Sequence, residues 1–238
     1  RRIKNSGVVA IYQRDRFGGY SNFARIGNGS LGGKGRGLAF IGTMLNRYPK
    51  LKYSNLDITI PHTVVICTDI FDEFMESNDL YPFALSDVSD EDILNRFLEA
   101  RLPENLLGDL QTLRSSSLLE DSHYQPFAGI YSTYMVPHAD NADETLNYLR
   151  NAIKAVYASV FFRDSKAYMT ATSNLIDQEK MAVVLQETVG TSYNGKLYPI
   201  MSGVARSLNF YPIGDETAEE GIANVALGLG KYIVDGGQ

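Results

Sequence analysis

Residues 25–40 read "RIGNGSLGGKGRGLAF" and contain six glycines and one lysine. Such a density of glycine favours a turn that lets a backbone approach a ligand closely. Apolar residues follow at helical spacing, at Leu38, Ile41, Met44 and Leu45. The stretch therefore predicts a glycine-rich turn that leads into a helix from about 36 to 47.

Three well-known glycine loops fail to fit this stretch. A Walker A loop requires glycine and Ser or Thr at positions that hold Asn28 and Gly35. A dinucleotide-binding G-x-G-x-x-G pattern is met in spacing, but the preceding "DRFGGYSNFA" predicts no apolar strand before it. A protein-kinase loop is excluded because no H-R-D or D-F-G sequence follows.

What remains is Gly32-Gly33-Lys34-Gly35 at the start of a helix. A lysine at that place lies where the helix dipole and the first backbone N–H groups favour an anion. The alternative interpretation is a glycine-rich connector with a solvated lysine. This stretch alone favours neither interpretation over the other.

Composition limits the class of protein. The chain has 238 residues, of which 44% are hydrophobic and 21% charged, as in ordinary globular proteins. Its net charge of -6 argues against a general nucleic-acid binder. Cys67, the single cysteine, excludes an internal disulfide, and its place in "TVVICT" predicts a buried small hydrophobe in a reducing compartment.

We found neither an apolar stretch of membrane-spanning length nor a signal-peptide pattern, so the sequence predicts a cytoplasmic protein. The chain begins without methionine and stops at "VDGGQ". These ends lead us to expect a piece of a longer polypeptide.

The pattern along the chain predicts an α/β (α+β) fold with two lobes. Residues 1–25 are expected to be a linker or a neighbouring strand, and 26–138 a first lobe in which strands and helices alternate. Residues 139–238 would form a second lobe, with a long amphipathic helix at 142–162 and antiparallel strands. Within it, Asn194-Gly195 between two apolar runs predicts a hairpin.

A second candidate site is "LRSSSLLED", in which Arg114 is followed by three serines. An arginine at the end of a strand, followed by a loop of small residues, can surround phosphate oxygens with donors. The alternative is a serine-rich surface loop in which Arg114 pairs with Glu120 or Asp121.

Several segments taken together show a resemblance to a known family. In order, they are Gly-Gly-Lys-Gly, Ile60-Pro61 before "TVVICTDIFDEF", "RSSSLLED" five residues before "FAG", "VVLQETV", "SGVARS" and "GLGKYIVDGG". The chain resembles the nucleotide-binding domain of the phosphoenolpyruvate synthase and pyruvate phosphate dikinase family over roughly residues 30 to 238. That resemblance implies an ATP-grasp-like fold. Ser117 and Leu118 depart from the family's Ala-Thr.

The resemblance also implies the site residues. Lys34 and Arg114 would act on the ATP phosphates as catalytic residues, together with the binding residues Gly33 and Ser115. The segment Gln186, Glu187, Thr188 and Val189 would pass the adenine and read its edge with backbone groups. Without the family, Gln186 is interpreted as an ordinary residue of an edge strand.

The resemblance implies a transferase with kinase activity. It would pass a phosphoryl group from ATP, with Mg²⁺, to a carrier histidine on another domain of the same longer chain. The net charge and the lack of a long apolar stretch predict neither nucleic acid nor membrane as a partner. One departure opens an alternative: Lys231 stands where relatives carry a glutamate that faces the nucleotide and its metal, which leaves the metal ligands unknown. The alternative is a non-catalytic nucleotide-sensing or interaction module.

Overall fold

The computed structural model describes residues 10–11, 22–47, 58–114, 134, 136, 141–171 and 180–228. Helices and strands both occur throughout these segments, which confirms the predicted α+β class. The helices are α1 (Gly32–Arg47), α2 (Thr68–Ser77), α3 (Tyr81–Ala84), α4 (Asp90–Glu99), α5 (Glu104–Arg114), α6 (Ala142–Ser159) and α7 (Arg163–Ala171). The strands are β1 (Ala10–Ile11), β2 (Phe23–Ile26), β3 (Thr63–Ile66), β4 (Val183–Gln186), β5 (Thr191–Tyr193), β6 (Lys196–Tyr198), β7 (Met201–Arg206) and β8 (Ile222–Leu227).

A mixed sheet with strand order β1-β2-β3-β4 is the frame of the described structure. Strands β1, β2 and β3 are parallel, and β4 pairs with β3 in the antiparallel direction. All four residues of β3 are buried, as expected for a strand with neighbours on both sides. The glycine-rich turn after β2 and the start of α2 after β3 therefore lie at the same end of the sheet, where these two parallel strands finish.

The core lies among α2, α4 and α6 and is rich in aromatic rings. Phe71 and Phe74 of α2 lie 5.0 and 5.3 Å from the ring of Tyr157 in α6. Phe97 of α4 lies 5.8 Å from Phe161, and all five rings are buried. Ring separations of this size are those at which aromatic pairs stabilise a core beyond their buried area.

Several local predictions are confirmed. Ser89, followed by Asp92 three residues later, is predicted from the sequence to be an N-cap. It caps α4, because its side chain accepts a hydrogen bond from the Asp92 backbone N–H at 3.1 Å. The long helix is α6, which buries its apolar face. The hairpin is β5–β6, in which Asn194 and Gly195 have positive φ values of 50° and 72°, as a two-residue turn requires.

The predicted division between lobes at residue 138 is crossed by both the sheet and the core. Strand β4 joins β3, and α6 packs against α4 and α5. Only the β5–β6 and β7–β8 ribbons form sheets of their own among the described strands. The two-lobed arrangement therefore stays a prediction.

Two local interpretations were wrong. A strand, β2, does precede the glycine-rich turn, although its sequence FARI is short and is interrupted by Arg25. Arg114 ends helix α5 rather than a strand. The physical reason for the helix is the spacing of Leu106 and Leu110, one turn apart and both fully buried.

In the described part of the chain, every helix is too short or too polar to cross a membrane.

Candidate functional site

The glycine loop, residues 27–31, connects β2 to α1 and lies against the beginning of α2. The backbone N–H of Asn28 donates to Asp69 Oδ2 at 2.7 Å. The N–H of Ser30 donates to Thr68 Oγ1 at 3.0 Å, and the carbonyl of Ser30 accepts from the N–H of Thr68 at 3.0 Å. The loop is therefore held from behind by the first two residues of α2.

Glycine is required in this loop by close contacts. A Cβ at Gly29 would lie 2.6 Å from the backbone nitrogen of Asp69, and one at Gly27 would lie 2.5 Å from Asp69 Oδ1. Gly27 also has a φ of +93°, a conformation that other residues rarely adopt. The glycines at 27 and 29 thus fit the loop to α2, and this role does not require a phosphate.

Thr68 and Asp69 are site-positioning residues that the sequence analysis did not identify. The signal was present as a Thr-Asp pair directly after the apolar run "TVVIC". Short polar side chains at a helix start accept hydrogen bonds from nearby backbone N–H groups. Here those N–H groups come from the glycine loop instead of from α2 itself.

The first turn of α1 presents Lys34. Its side chain is exposed, and it forms neither a hydrogen bond nor an ion pair with the residues described here. Gly33 beside it is also exposed, with open space where a Cβ would stand. Gly35 faces inward, where a Cβ would approach Val65 of β3 at 3.3 Å. One face of the turn is therefore packed on the sheet, and the other carries a free ammonium at the positive end of the helix dipole.

The start of strand β4 lies next to this turn. A Cβ at Gly32 would lie 3.1 Å from the Cβ of Ala182, the residue that precedes β4. The predicted adenine segment, residues 186–189, begins at the other end of β4, where Gln186 pairs with Thr63 at the start of β3, so one strand connects the two predicted elements of the site.

The register of β4 determines which backbone groups point outward. The N–H of Glu187 donates to the carbonyl of His62 at 2.9 Å, and Gln186 stands opposite Thr63. Because bonded and non-bonded positions alternate in an antiparallel pair, the backbone N–H and C=O of Gln186 point away from β3. Strand β4 is the last strand of the described sheet, so these groups lie at its edge.

The side chains of this segment are engaged with the residues before β3. Gln186 Nε2 donates to Thr63 Oγ1 at 3.0 Å, and Glu187 Oε2 lies 3.3 Å from His62 Nδ1. Thr188 is half-buried and Val189 is exposed. The geometry therefore offers a ligand the backbone of Gln186 rather than its amide.

The remaining predicted residues are only partly placed. The backbone of Arg114 ends α5, and its side chain lies outside the described part of the structure, as do Ser115, Glu120, Asp121 and Lys231. A helix end of this kind presents carbonyls rather than N–H groups. Any anion near Arg114 would therefore depend on its guanidinium or on the residues after it.

Behind the glycine loop lies a group of buried polar atoms. Asp69 Oδ1 and the Tyr157 hydroxyl are buried and lack a hydrogen-bond partner among the described residues. Burial, reinforced by the charge of Asp69 and weakly opposed by Arg25, raises the pKa of the Cys67 thiol. Cys67 is thus the inert, buried residue that the sequence predicted, because the neutral thiol is a poor nucleophile.

The described segments do not bring three His, Cys, Asp or Glu side chains together as metal ligands. Lys231 and the serine-rich segment lie outside these segments.

The chain is similar in sequence to a known protein. Over 195 residues, the chain is 26% identical to a Bacillus subtilis (strain 168) protein named "Uncharacterized phosphotransferase YvkC". The alignment covers 78% of this chain and 21% of that protein, so the chain spans about a fifth of this relative's length.

Residues 28–238 match the family described as "Pyruvate phosphate dikinase, AMP/ATP-binding domain". The match begins within the glycine loop and includes α1, the sheet strands β3 and β4, and Arg114. It confirms the resemblance stated from the sequence. The chain belongs to the family of pyruvate phosphate dikinase AMP/ATP-binding domains.

Proposed function

We propose that this chain is the ATP-binding part of a dikinase-like phosphotransferase, in which a phosphoryl group passes from ATP to a carrier histidine on another domain. The observation that carries the proposal is the adjacency of two elements within the matched region. The first turn of α1, which carries Lys34, lies next to the start of β4, and the outward backbone groups of Gln186 lie at the other end of that strand.

The two elements offer complementary chemistry to a nucleotide. An adenine edge has a donor and an acceptor, and the outward N–H and C=O of Gln186 supply the opposite pair. Phosphates carry negative charge, which the α1 N-terminus and the Lys34 ammonium attract. The neighbouring Glu187 N–H is bonded to His62, so Gln186 is the better of the two for reading the base.

The contribution of the chain to phosphoryl transfer would be electrostatic. Lys34 and Arg114 would gather the charge that shifts among the phosphate oxygens, while Gly33 and Ser115 would let the backbone approach. Mg²⁺ would supply further charge neutralisation at the phosphates.

ATP affinity tests the site. We expect Lys34→Ala and Arg114→Ala each to weaken binding by about 1.5 to 3 kcal/mol, the range for hydrogen bonds to charged groups. Calorimetric titration of a chain extended past residue 238 measures this. Arg47→Ala is the matched control, because Arg47 is an exposed cation at the opposite end of α1. Unchanged affinity in both site variants would remove these residues from the phosphate site.

A phosphoryl-transfer assay separates this proposal from the nucleotide-sensor alternative that Lys231 motivates. With ATP labelled at the β-phosphate, the enzyme labels a histidine in the longer polypeptide, whereas a sensor binds nucleotide and transfers nothing. Residues 1–238 alone should not sustain conversion of ATP to AMP and phosphate. Sustained conversion by this chain would contradict the need for a carrier domain.

Magnesium dependence tests Lys231 itself. If its ammonium pairs with phosphate oxygens, binding should depend little on Mg²⁺, and Lys231→Glu should introduce that dependence. Strong magnesium dependence in the unmodified chain, unaltered by the substitution, would show that Lys231 faces solvent.

A further inference from the structure

A surface pocket of about 260 Å³ lies where the end of α4 and the start of α5 meet the middle of α6. Ala100, Leu102 and Leu107 supply its apolar wall. The connector between α4 and α5 is fixed at this place, because the Asn78 side chain accepts from the Arg101 N–H and donates to the Arg101 carbonyl, both at 2.9 Å. The pocket is therefore bounded by a backbone held in one position.

Three cations and two carboxylates line this pocket. The cations are Arg101, Arg150 and Lys154, and the carboxylates are Glu99 and Glu104. Arg150 and Lys154 are half-buried, whereas Arg101 and both glutamates are exposed. Two cations therefore lie deeper in the pocket, and both carboxylates lie at its rim with the third cation.

These opposite charges do not neutralise one another. In the segments that the structure describes, none of the five forms an ion pair. Arg150 Nε is buried and has no hydrogen-bond partner there, although a buried guanidinium nitrogen normally has one. Lys154 Nζ is held in place by a hydrogen bond of 2.9 Å to the Leu98 carbonyl.

The position of the two inner cations is unfavourable without an anion. Arg150 and Lys154 are four residues apart on α6, so they lie on one face of the helix and repel each other. Burial, together with the charge of Arg150, lowers the pKa of Lys154. An anion between them would turn repulsion into two attractions and would give Arg150 Nε an acceptor.

We propose that this pocket binds a phosphate-type oxyanion, inorganic or carried by a small metabolite. Arg101, Arg150 and Lys154 together offer more N–H donors than the two oxygens of a carboxylate accept, and a phosphate presents a larger set of acceptors. α5 begins at Glu104 beside the pocket, so its dipole also favours an anion there.

This pocket is separate from the phosphate site proposed for ATP. Glu104 and Arg114 are the first and last residues of α5, and ten residues of helix correspond to about 15 Å. An anion in the pocket and a phosphate near Arg114 would therefore occupy opposite ends of the same helix.

The test is a titration of this chain with inorganic phosphate at constant ionic strength, followed by the NMR signal of the Arg150 Nε–H group and the backbone amides of residues 100–107. We expect shifts that saturate. Arg150→Gln and Lys154→Gln should each weaken phosphate binding about tenfold or more, since each removes a charged donor. Because Arg150→Gln removes the Nε–H signal, binding to that variant is measured from the backbone amides alone.

Two controls make the result specific. Arg96→Gln changes the net charge equally at an exposed residue of α4 outside the pocket, and Lys34→Gln alters the proposed nucleotide site. Both should leave the phosphate shifts unchanged.

If Arg150→Gln fails to fold, Lys154→Gln alone tests whether the pocket binds phosphate. Shifts that do not saturate, that survive the pocket substitutions, or that acetate reproduces at equal concentration would overturn the proposal.

Discussion

The contact between the glycine loop and α2 predicts that two neighbouring glycines respond to alanine in opposite directions. At Gly29 a Cβ would lie 2.6 Å from the Asp69 backbone nitrogen and 2.8 Å from Thr68 Oγ1. Because backbone cannot yield as a flexible side chain does, the loop would have to move away from α2. At Gly33 the same Cβ meets no atom within 4 Å.

The magnitude follows from the bonds that the movement would break. The bond from Asn28 N–H to the Asp69 carboxylate is worth about 1.5 to 3 kcal/mol, and the neutral bond from Ser30 N–H to Thr68 about 0.5 to 1.5 kcal/mol. Gly29→Ala should therefore lower the free energy of unfolding by about 2 to 4.5 kcal/mol. Gly33→Ala should raise it by about 0.5 to 1 kcal/mol, since alanine is the better helix former.

Urea unfolding, followed by circular dichroism, measures both values. The free energy of unfolding should depend on urea concentration with the same slope in each variant, which checks that only stability has changed. The two variants carry the same chemical change four residues apart, so each is the control for the other. A loss below about 1 kcal/mol at Gly29, or equal losses at both positions, would refute the argument that the loop is held by α2.

Three further predictions concern stability. Tyr157→Phe should stabilise the chain by about 1 to 2 kcal/mol in thermal unfolding, since it removes a buried hydroxyl that has no partner in the described structure; a loss would show that the hydroxyl is bonded. Because the pKa of the Cys67 thiol is raised in the folded chain, the unfolded chain loses the thiol proton at lower pH. The free energy of unfolding should therefore fall as pH rises above 9.0, the ordinary thiol value, and Cys67→Ala should reduce the slope of this fall. Lys180 pairs with Asp72 at an exposed site, so Lys180→Ala should cost under about 1 kcal/mol, and less in high salt; a larger cost would contradict a solvated pair.

The sequence predicted best those features that depend on neighbouring residues. The Ser89 cap, the Asn194-Gly195 turn and the apolar face of α6 are local patterns, and each appears as predicted. The place of Lys34 at a helix start follows from the same kind of pattern. Arg114 was wrongly predicted to end a strand, because the helical spacing of Leu106 and Leu110 before it, and not its serine-rich continuation, determines its secondary structure.

Features that depend on residues far apart in the chain could not be predicted from the sequence. The pairing of β4 with β3 joins Gln186 to Thr63, and a shift of one residue would turn the outward backbone of Gln186 inward. Nothing within "MAVVLQETV" indicates that register. The same holds for Thr68 and Asp69, whose partners in the glycine loop lie about forty residues earlier.

The hydrogen bonds of the glycine loop bear on how a nucleotide would bind. In a loop that wraps a phosphate, backbone N–H groups point at the ligand, but here the N–H groups of Asn28 and Ser30 are already bonded to α2. The loop thus keeps its shape through contacts within the chain, and a ligand need not supply the free energy to order it. Attraction for phosphate at this end of the site would then come from the α1 N-terminus and Lys34. Substitutions at Asp69 should therefore act on ATP affinity through the stability and position of the loop, whereas substitutions at Lys34 should act on it directly.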